Sequence, residues 1–265
     1  MDFMVLGTLQ LQRRQGDRVR LPSDAQRRLV SLLVLHAEAV VRAEELGDRL
    51  GLSASALRTS VCRLRRRLGA DVVTTEPPGY ALHCDHLDVT GFERGLRAAR
   101  SGSDDPACRR AFLEQALRLW RGEPYAEFAH EAWVEGEVRR LTELHCGAVE
   151  DLVELEIRAG EWSPAIARLH PLIDDQPFRD RPRGLLMQAL ASGGRQADAL
   201  RAFQDYRDLL RDEVGTEPSA PLVDLDRAIS QGVLSAPAGQ TERVSTEVPS
   251  LQRASVQTRS DSRFR

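Results

Sequence analysis

Leu57-Arg58-Thr59-Ser60-Val61-Cys62-Arg63-Leu64-Arg65-Arg66-Arg67-Leu68 is the stretch that decides how the front of this chain is read. Leu57, Val61, Leu64 and Leu68 recur at the spacing of one buried helical stripe, and five arginines with no acid stand between them. At about 100° per residue the opposite face carries Ser55, Thr59, Cys62 and Arg66, with Arg63 at its edge. A helix anchored along one side, offering small polar groups and guanidinium on the other, fits a DNA major groove.

The flanking residues place that helix. Glu45-Leu46-Gly47-Asp48-Arg49-Leu50-Gly51-Leu52-Ser53 reads as a short helix, a tight turn at Gly51, and a serine N-cap at Ser53 or Ser55. Leu46 and Leu50, one turn apart, face Leu57 and Val61, which makes a helix-turn-helix with the arginine helix in the recognition position. Downstream, Asp71-Val72-Val73-Thr74-Thr75-Glu76 and Tyr80-Ala81-Leu82-His83 flank Pro77-Pro78-Gly79 as a hairpin, a wing that would lie along the phosphate backbone or a minor groove. Gly79 is expected at positive φ where the hairpin reverses, and Tyr80 opens the returning strand. Upstream, Phe3 to Leu11 and Val19 to Leu21 read as short strands with a turn at Gln15-Gly16-Asp17. Ser23-Asp24-Ala25-Gln26 reads as a capping box for a helix with Leu29, Leu32 and Leu33 inward. This order predicts a winged-helix domain over residues 1–92. Its candidate DNA-binding residues are Ser55, Arg58, Thr59, Cys62, Arg63, Arg65, Arg66 and Arg67 on the helix, with Gly79 and Tyr80 in the wing.

The chain of 265 residues is long enough for two cores, and its net charge of −3 hides a division. Residues 1–92 hold 13 arginines against 11 acids and residues 93–231 hold 19 against 26, a basic front suited to DNA and an acidic body suited to protein contact. Cys62, Cys84, Cys108 and Cys146 are scattered and form no metal or disulfide spacing. His83-Cys84-Asp85-His86 is the one ligand-like cluster, read as an exposed strand end rather than a metal site. The sequence carries no Gly-x-x-x-x-Gly-Lys, Gly-x-Ser-x-Gly or His-Glu-x-x-His motif, no long apolar run and no signal peptide. A non-enzymatic protein without cofactor, metal or membrane is expected, cytoplasmic and associated with the nucleoid.

From Phe92 the pattern is amphipathic helix broken by short turns, and two stretches match when slid by 34 positions. Ala159-Gly160-Glu161 aligns with Gly193-Gly194-Arg195, Ala165-Ile166 with Ala199-Leu200, Leu169 with Phe203, Leu172 with Tyr206, Leu152 with Leu186, and Leu155 with Ala189. Glycine between helices and alanine where they cross at this period form the tetratricopeptide pattern. Further helices are expected over Ala111–Trp120 and Ala132–Leu152, as an irregular first repeat. Glu131, Glu135, Glu137, Glu143, Glu150, Glu154 and Glu156 read as a solvated face or as a docking surface for a basic partner. The fold class is therefore mainly α with small β elements: an N-terminal winged helix-turn-helix (1–92), an all-α tetratricopeptide-like domain (93–231), and a polar tail (232–265) expected to be disordered.

A winged helix followed at once by tetratricopeptide-like helices resembles the Streptomyces antibiotic regulatory protein family. The resemblance rests on Val61-Cys62-Arg63-Leu64-Arg65-Arg66, Pro78-Gly79-Tyr80-Ala81-Leu82, Ala116-Leu117-Arg118-Leu119-Trp120-Arg121-Gly122, Arg183-Gly184-Leu185-Leu186-Met187-Gln188-Ala189-Leu190, Gly194-Arg195-Gln196-Ala197-Asp198-Ala199-Leu200 and Glu213-Val214-Gly215-Thr216-Glu217-Pro218. It implies a bacterial transcriptional activator domain after the winged helix. It also implies a homodimer side by side on direct repeats of double-stranded DNA near a biosynthetic promoter, and recruitment of RNA polymerase holoenzyme. The chain stops before the ATPase domain of larger relatives, as a small-type member would. Leu50-Gly51-Leu52-Ser53 is a tighter turn than the family's loop between these two helices. A ligand-responsive DNA-binding repressor, or a helical-repeat adaptor whose basic helix binds acidic protein, are the alternative readings.

Overall fold

The computed structural model describes residues 1–101 and 105–233; the expected tail, beyond Val233, lies outside them. The run from Phe3 to Leu11 is two strands, β1 (Asp2–Met4) and β2 (Gln10–Gln12), because Gly7 at φ 136° turns the chain between them. β2 pairs antiparallel with β3 (Arg18–Val19) across the expected turn, and β7 (His86–Leu87) returns parallel to β1, giving the order β3-β2-β1-β7. Ser23 stands at the N-cap of α1 (Asp24–Leu35), but its side chain makes no cap bond, so the capping box does not form. Gln26, its would-be partner, is buried instead, and the Ser23 carbonyl accepts the N–H groups of Gln26 and Arg27.

The helix-turn-helix follows from local chemistry. α2 (Ala43–Leu50) ends at Gly51, whose φ of 62° is left-handed. The Leu52 N–H donates to the Gly47 carbonyl at 2.9 Å, completing a Schellman end. Ser53 caps α3 (Ala54–Leu68) by accepting the Ala56 N–H at 3.3 Å. Leu57, Val61, Leu64 and Leu68 are all buried against the core holding Phe3, Leu29 and Leu46. At roughly 1.5–3 kcal/mol for each such side chain, the stripe fixes the rotation of α3 far more strongly than any surface ion pair could.

The second sheet, ordered β4-β6-β5, joins β4 (Val40–Arg42) to the wing strands β5 (Val73–Glu76) and β6 (Gly79–Leu82). The hairpin is where the Pro77-Pro78-Gly79 signal puts it, with Pro77-Pro78 in cis. Gly79, however, does not have a positive φ. It is required by close approach: a Cβ there would stand 1.8 Å from the Val41 carbonyl oxygen of β4. The cluster His83-Cys84-Asp85-His86 is occupied by internal contacts. His83 bonds Glu38 at 3.1 Å and Thr74 at 3.0 Å, the Cys84 N–H donates to Glu38, and Asp85 pairs with Arg14 and the N-terminal amine. The Glu38 hydrogen bond raises the His83 pKa above its ordinary value.

The helical part starts inside the expected winged-helix limit. α4 (Asp88–Ser101) runs across residue 92, and Phe92, Leu96 and Ala99 lie in the same core as Phe3 and Leu64. α5 (Pro106–Leu117) completes a hairpin with α4, packed so closely that a Cβ on Gly95 would meet Ala116 at 2.8 Å. Trp120 lies beyond the end of α5, and the helix expected from Ala132 begins at Glu135 and continues as α6 to Arg158. Residues 118–134 are a strap across the turn between β1 and β2. The Arg121 N–H donates to the Leu6 carbonyl at 2.8 Å and the Tyr125 N–H to Val5 at 2.7 Å. Asp88 closes the junction by accepting the N–H groups of Val5 (3.0 Å), Leu6 (2.9 Å) and Val89 (2.9 Å), with the Arg121 guanidinium at 3.4 Å.

The repeat is explicit in α7 (Trp162–Asp175), α8 (Asp180–Ser192), α9 (Gln196–Glu213) and the capping α10 (Ala220–Ser230). Gly160 and Gly194 have φ of 79° and 78°, and Glu161 and Arg195 donate to the Glu156 and Leu190 carbonyls at 2.8 Å each, so the two turns match at the sequence period. Ala165 and Ala199 are fully buried at the crossings, within a second core that includes Leu169, Phe203 and Tyr206.

Gly79→Ala is expected to destabilise the protein by about 3 kcal/mol, the upper end for overpacking, because its obstacle is backbone and not a movable side chain. Urea denaturation checks this, and a loss under about 1 kcal/mol contradicts the close approach. Asp88→Ala leaves the buried N–H groups of Val5, Leu6 and Val89 without this acceptor and is expected to cost about 2–4 kcal/mol at neutral pH. Calorimetry should show this as a lowered Tm, and an unchanged Tm would show that the junction is held without Asp88.

Candidate nucleic-acid interface

With the stripe of α3 buried, its outer face carries the polar remainder. Ser55, Arg58, Thr59, Cys62, Arg63, Arg66 and Arg67 are exposed. Thr59 Oγ1 donates to the Ser55 carbonyl at 3.0 Å, and the Ser55 and Ser53 hydroxyls lie 3.1 Å apart, so these groups are ordered along the first turns of the helix. The guanidinium groups of Arg58, Arg63 and Arg66 make no hydrogen bond or ion pair among the described residues. Unpaired, exposed cations on a helix without an acid leave a positive face that an anionic groove would neutralise.

Four of the residues selected from the sequence stand differently. Arg65 is half-buried: its Nε donates to the Val73 carbonyl at 2.7 Å and its Nη2 to Thr75 Oγ1 at 2.6 Å, so it braces α3 against the wing strand β5. Arg67 points to the other side, where its Nη1 lies 3.4 Å from the Arg20 carbonyl. Tyr80, expected at the DNA surface, is buried in the core on β6, the middle strand of its sheet, where it pairs with Val41 of β4. Gly79 is buried against β4 and offers no side chain. These two act on the wing by placing it. Sequence reasoning missed Thr75 as the Arg65 partner and Arg13, whose Nη2 donates to the Arg67 carbonyl at 2.7 Å. Nothing local marks Arg13, because its partner lies 54 residues away.

The expected acidic face is largely taken up from within. Glu150 and Glu156 are buried. Arg179 and Arg181 donate to Glu150 at 2.5 and 3.1 Å, and Arg168 donates to Glu156 at 2.9 Å. Glu143 pairs with Arg179, Glu154 with Arg158 and Arg181, Glu137 with Arg140, and Glu131 with Arg28. Hydrogen bonds donated to Glu150 and Glu143 hold the Arg179 guanidinium well above its usual pKa. The cluster knits α6 to α7, α8 and the segment between them, while Glu131 ties the strap to α1, and it presents little free negative charge. Among the described residues no group of His, Cys, Asp and Glu could hold a metal ion, and no helix is long and apolar enough to cross a membrane.

Comparison with known proteins gives this geometry its context. Residues 87–230 match the bacterial transcriptional activator domain family, more than half of the chain. The regulatory protein DnrI of Streptomyces peucetius is 34% identical over 226 residues, covering 77% of this chain and 82% of that protein. The regulatory protein AfsR of Streptomyces coelicolor is 33% identical over 242 residues, and the chain spans 24% of its length. The solved structure of Mycobacterium tuberculosis EmbR, in complex with a low-affinity phosphopeptide, superposes with a TM-score of 0.77 at 29% identity, covering 90% of this chain and 66% of that one. With its winged helix, its activator-domain helices and a relative 34% identical over most of both chains, the chain belongs to the Streptomyces antibiotic regulatory protein family of transcriptional regulators.

Proposed function

We propose that this protein is a sequence-specific DNA-binding activator that reads duplex DNA with the outer face of α3. One observation carries the reading: Arg58, Arg63 and Arg66 stand unpaired on a helix whose rotation is fixed by a buried stripe. Bidentate arginine–guanine pairs are the commonest specific major-groove contact, and phosphate contacts supply the remaining attraction. In this reading Arg66, opposite the stripe, reads a base edge; Ser55, Arg58, Thr59, Cys62 and Arg63 line the groove or its walls, and Arg67 ties the helix to the first hairpin. The wing, held by Arg65 and placed by Gly79 and Tyr80, follows the backbone.

The family resemblance implies the wider reading, which we propose with it: a homodimer on direct repeats at promoters of a secondary-metabolite gene cluster, recruiting RNA polymerase holoenzyme in the nucleoid. The ion-paired glutamates of α6 are not the surface that reaches polymerase, since their charges are already matched. The helical domain enters this function through the core and strap it shares with the reader, by which anything that moves α4 or residues 118–134 also moves β1.

Arg66→Ala is expected to weaken binding to a duplex selected from random sequence by about 1–3 kcal/mol, with little change for unselected DNA and none in Tm. Arg65→Ala, which frees α3 from the wing, is expected to lower stability and weaken all duplexes alike. Fluorescence anisotropy with calorimetry separates the two. Equal losses on selected and unselected DNA for Arg66→Ala would mean that a different face enters the groove.

A further inference from the structure

We infer that the β2–β3 hairpin is a second phosphate clamp, flanking the recognition helix on the side opposite the wing. The inference rests on the proposed DNA reading and extends it to residues that carry none of the sequence motifs.

The placement follows from the helix itself. Residues two apart on a helix point about 200° apart, so Arg65 and Arg67 leave α3 toward opposite sides, with Arg66 between them on the outer face. Arg65 reaches the wing through Val73 and Thr75. On the other side Arg67 reaches the Arg20 carbonyl, and Arg13 returns the connection by donating to the Arg67 carbonyl. That carbonyl belongs to the last turn of α3, where a helix lacks internal donors, so Arg13 also caps the helix. The hairpin is thus bolted to the end of α3 at two points.

Its charge is lopsided. Arg13-Arg14-Gln15-Gly16-Asp17-Arg18-Val19-Arg20 holds four arginines and one acid. Arg14 is matched by Asp85, whose pKa its guanidinium helps to depress. Arg18 and Arg20 are exposed and have no acidic partner among the described residues. Two apart along β3 and the residue after it, they share one side of this strand, which is the outer edge of its sheet. A helix seated in a major groove is bordered on both sides by phosphate backbones. The wing stands beside one, and Arg18 and Arg20 stand where the other would run. Arginine presents a bidentate fork to phosphate, and such contacts position a protein without reading sequence.

The test is the salt dependence of affinity, measured with full-length protein on one selected site and on a scrambled duplex. Each phosphate contact contributes about 0.9 to the slope of log affinity against log salt. Arg18→Ala/Arg20→Ala is expected to lower that slope by about 2 on both duplexes, leaving the ratio of selected to scrambled affinity within about threefold. Arg18→Lys/Arg20→Lys should restore most of the slope, and Arg14→Ala, whose charge is already matched, should leave it unchanged. A double-alanine variant with the wild-type slope overturns the inference. So does a variant that loses only cooperativity on two adjacent sites, which would make the hairpin a protein contact. Failure of the wild-type protein to bind either duplex would instead defeat the DNA reading itself.

Discussion

The burial of Leu57, Val61, Leu64 and Leu68 is the constraint on which the rest depends. A helix can present a reading face only if it cannot rotate, and a shift of one residue would turn α3 by about 100°, carrying an arginine toward the core. Leaving a guanidinium unpaired in that core would cost several kcal/mol, so the alternative rotation is closed. Once the stripe is set, Arg65 and Arg67 have no choice of side, and they tie the helix to the wing and to the first hairpin. The wing is held from its far side too, where the backbone of Gly79 lies directly on β4. Reader, wing and hairpin then form one rigid surface, which suits recognition because little order remains to be imposed on binding.

That surface is not insulated from the helices behind it. Phe92 and Leu96 of α4, Tyr125 and Phe128 of the strap, and Leu141 of α6 belong to the core that also holds α3. Asp88 sits where these parts meet and accepts backbone N–H groups from the turn after β1 and from its own helix. Leu117 touches both this core and the second one, which packs the repeats. The boundary between the winged helix and the activator domain is therefore a change of topology and not a gap in packing.

Features that depend on near neighbours are legible in the sequence. The apolar spacing in α3, the glycine after α2, the serine before α3, the Pro-Pro-Gly turn and the 34-residue match of Gly160 with Gly194 are all local patterns with local causes. The departures lie where distant segments meet. A turn conformation is the natural expectation for Gly79 because the approach of β4 is invisible in sequence. Tyr80 is buried although its strand reads as a surface wing, since β6 is the middle strand of its sheet and buried at all four positions, which the local sequence does not reveal. The glutamates of α6 read as free because their arginine partners arise mainly from α7, α8 and the segments around them. Ser23 matches a capping motif whose glutamine is needed elsewhere, in the core. Arg65 reads as a DNA contact because nothing in a run of arginines marks the one that turns toward a wing.

Cys62 offers the most direct measurement of whether the outer face of α3 enters DNA, because its thiol is exposed on that face between Thr59 and Arg66. Alkylation by a maleimide can be followed at each cysteine by mass spectrometry, with and without a duplex selected by the protein. If α3 lies in the groove, the duplex should slow modification of Cys62 at least tenfold while Cys84 and Cys108, away from that face, react as before. Equal rates at Cys62 in free and bound protein would contradict the central claim, whatever the affinity for DNA.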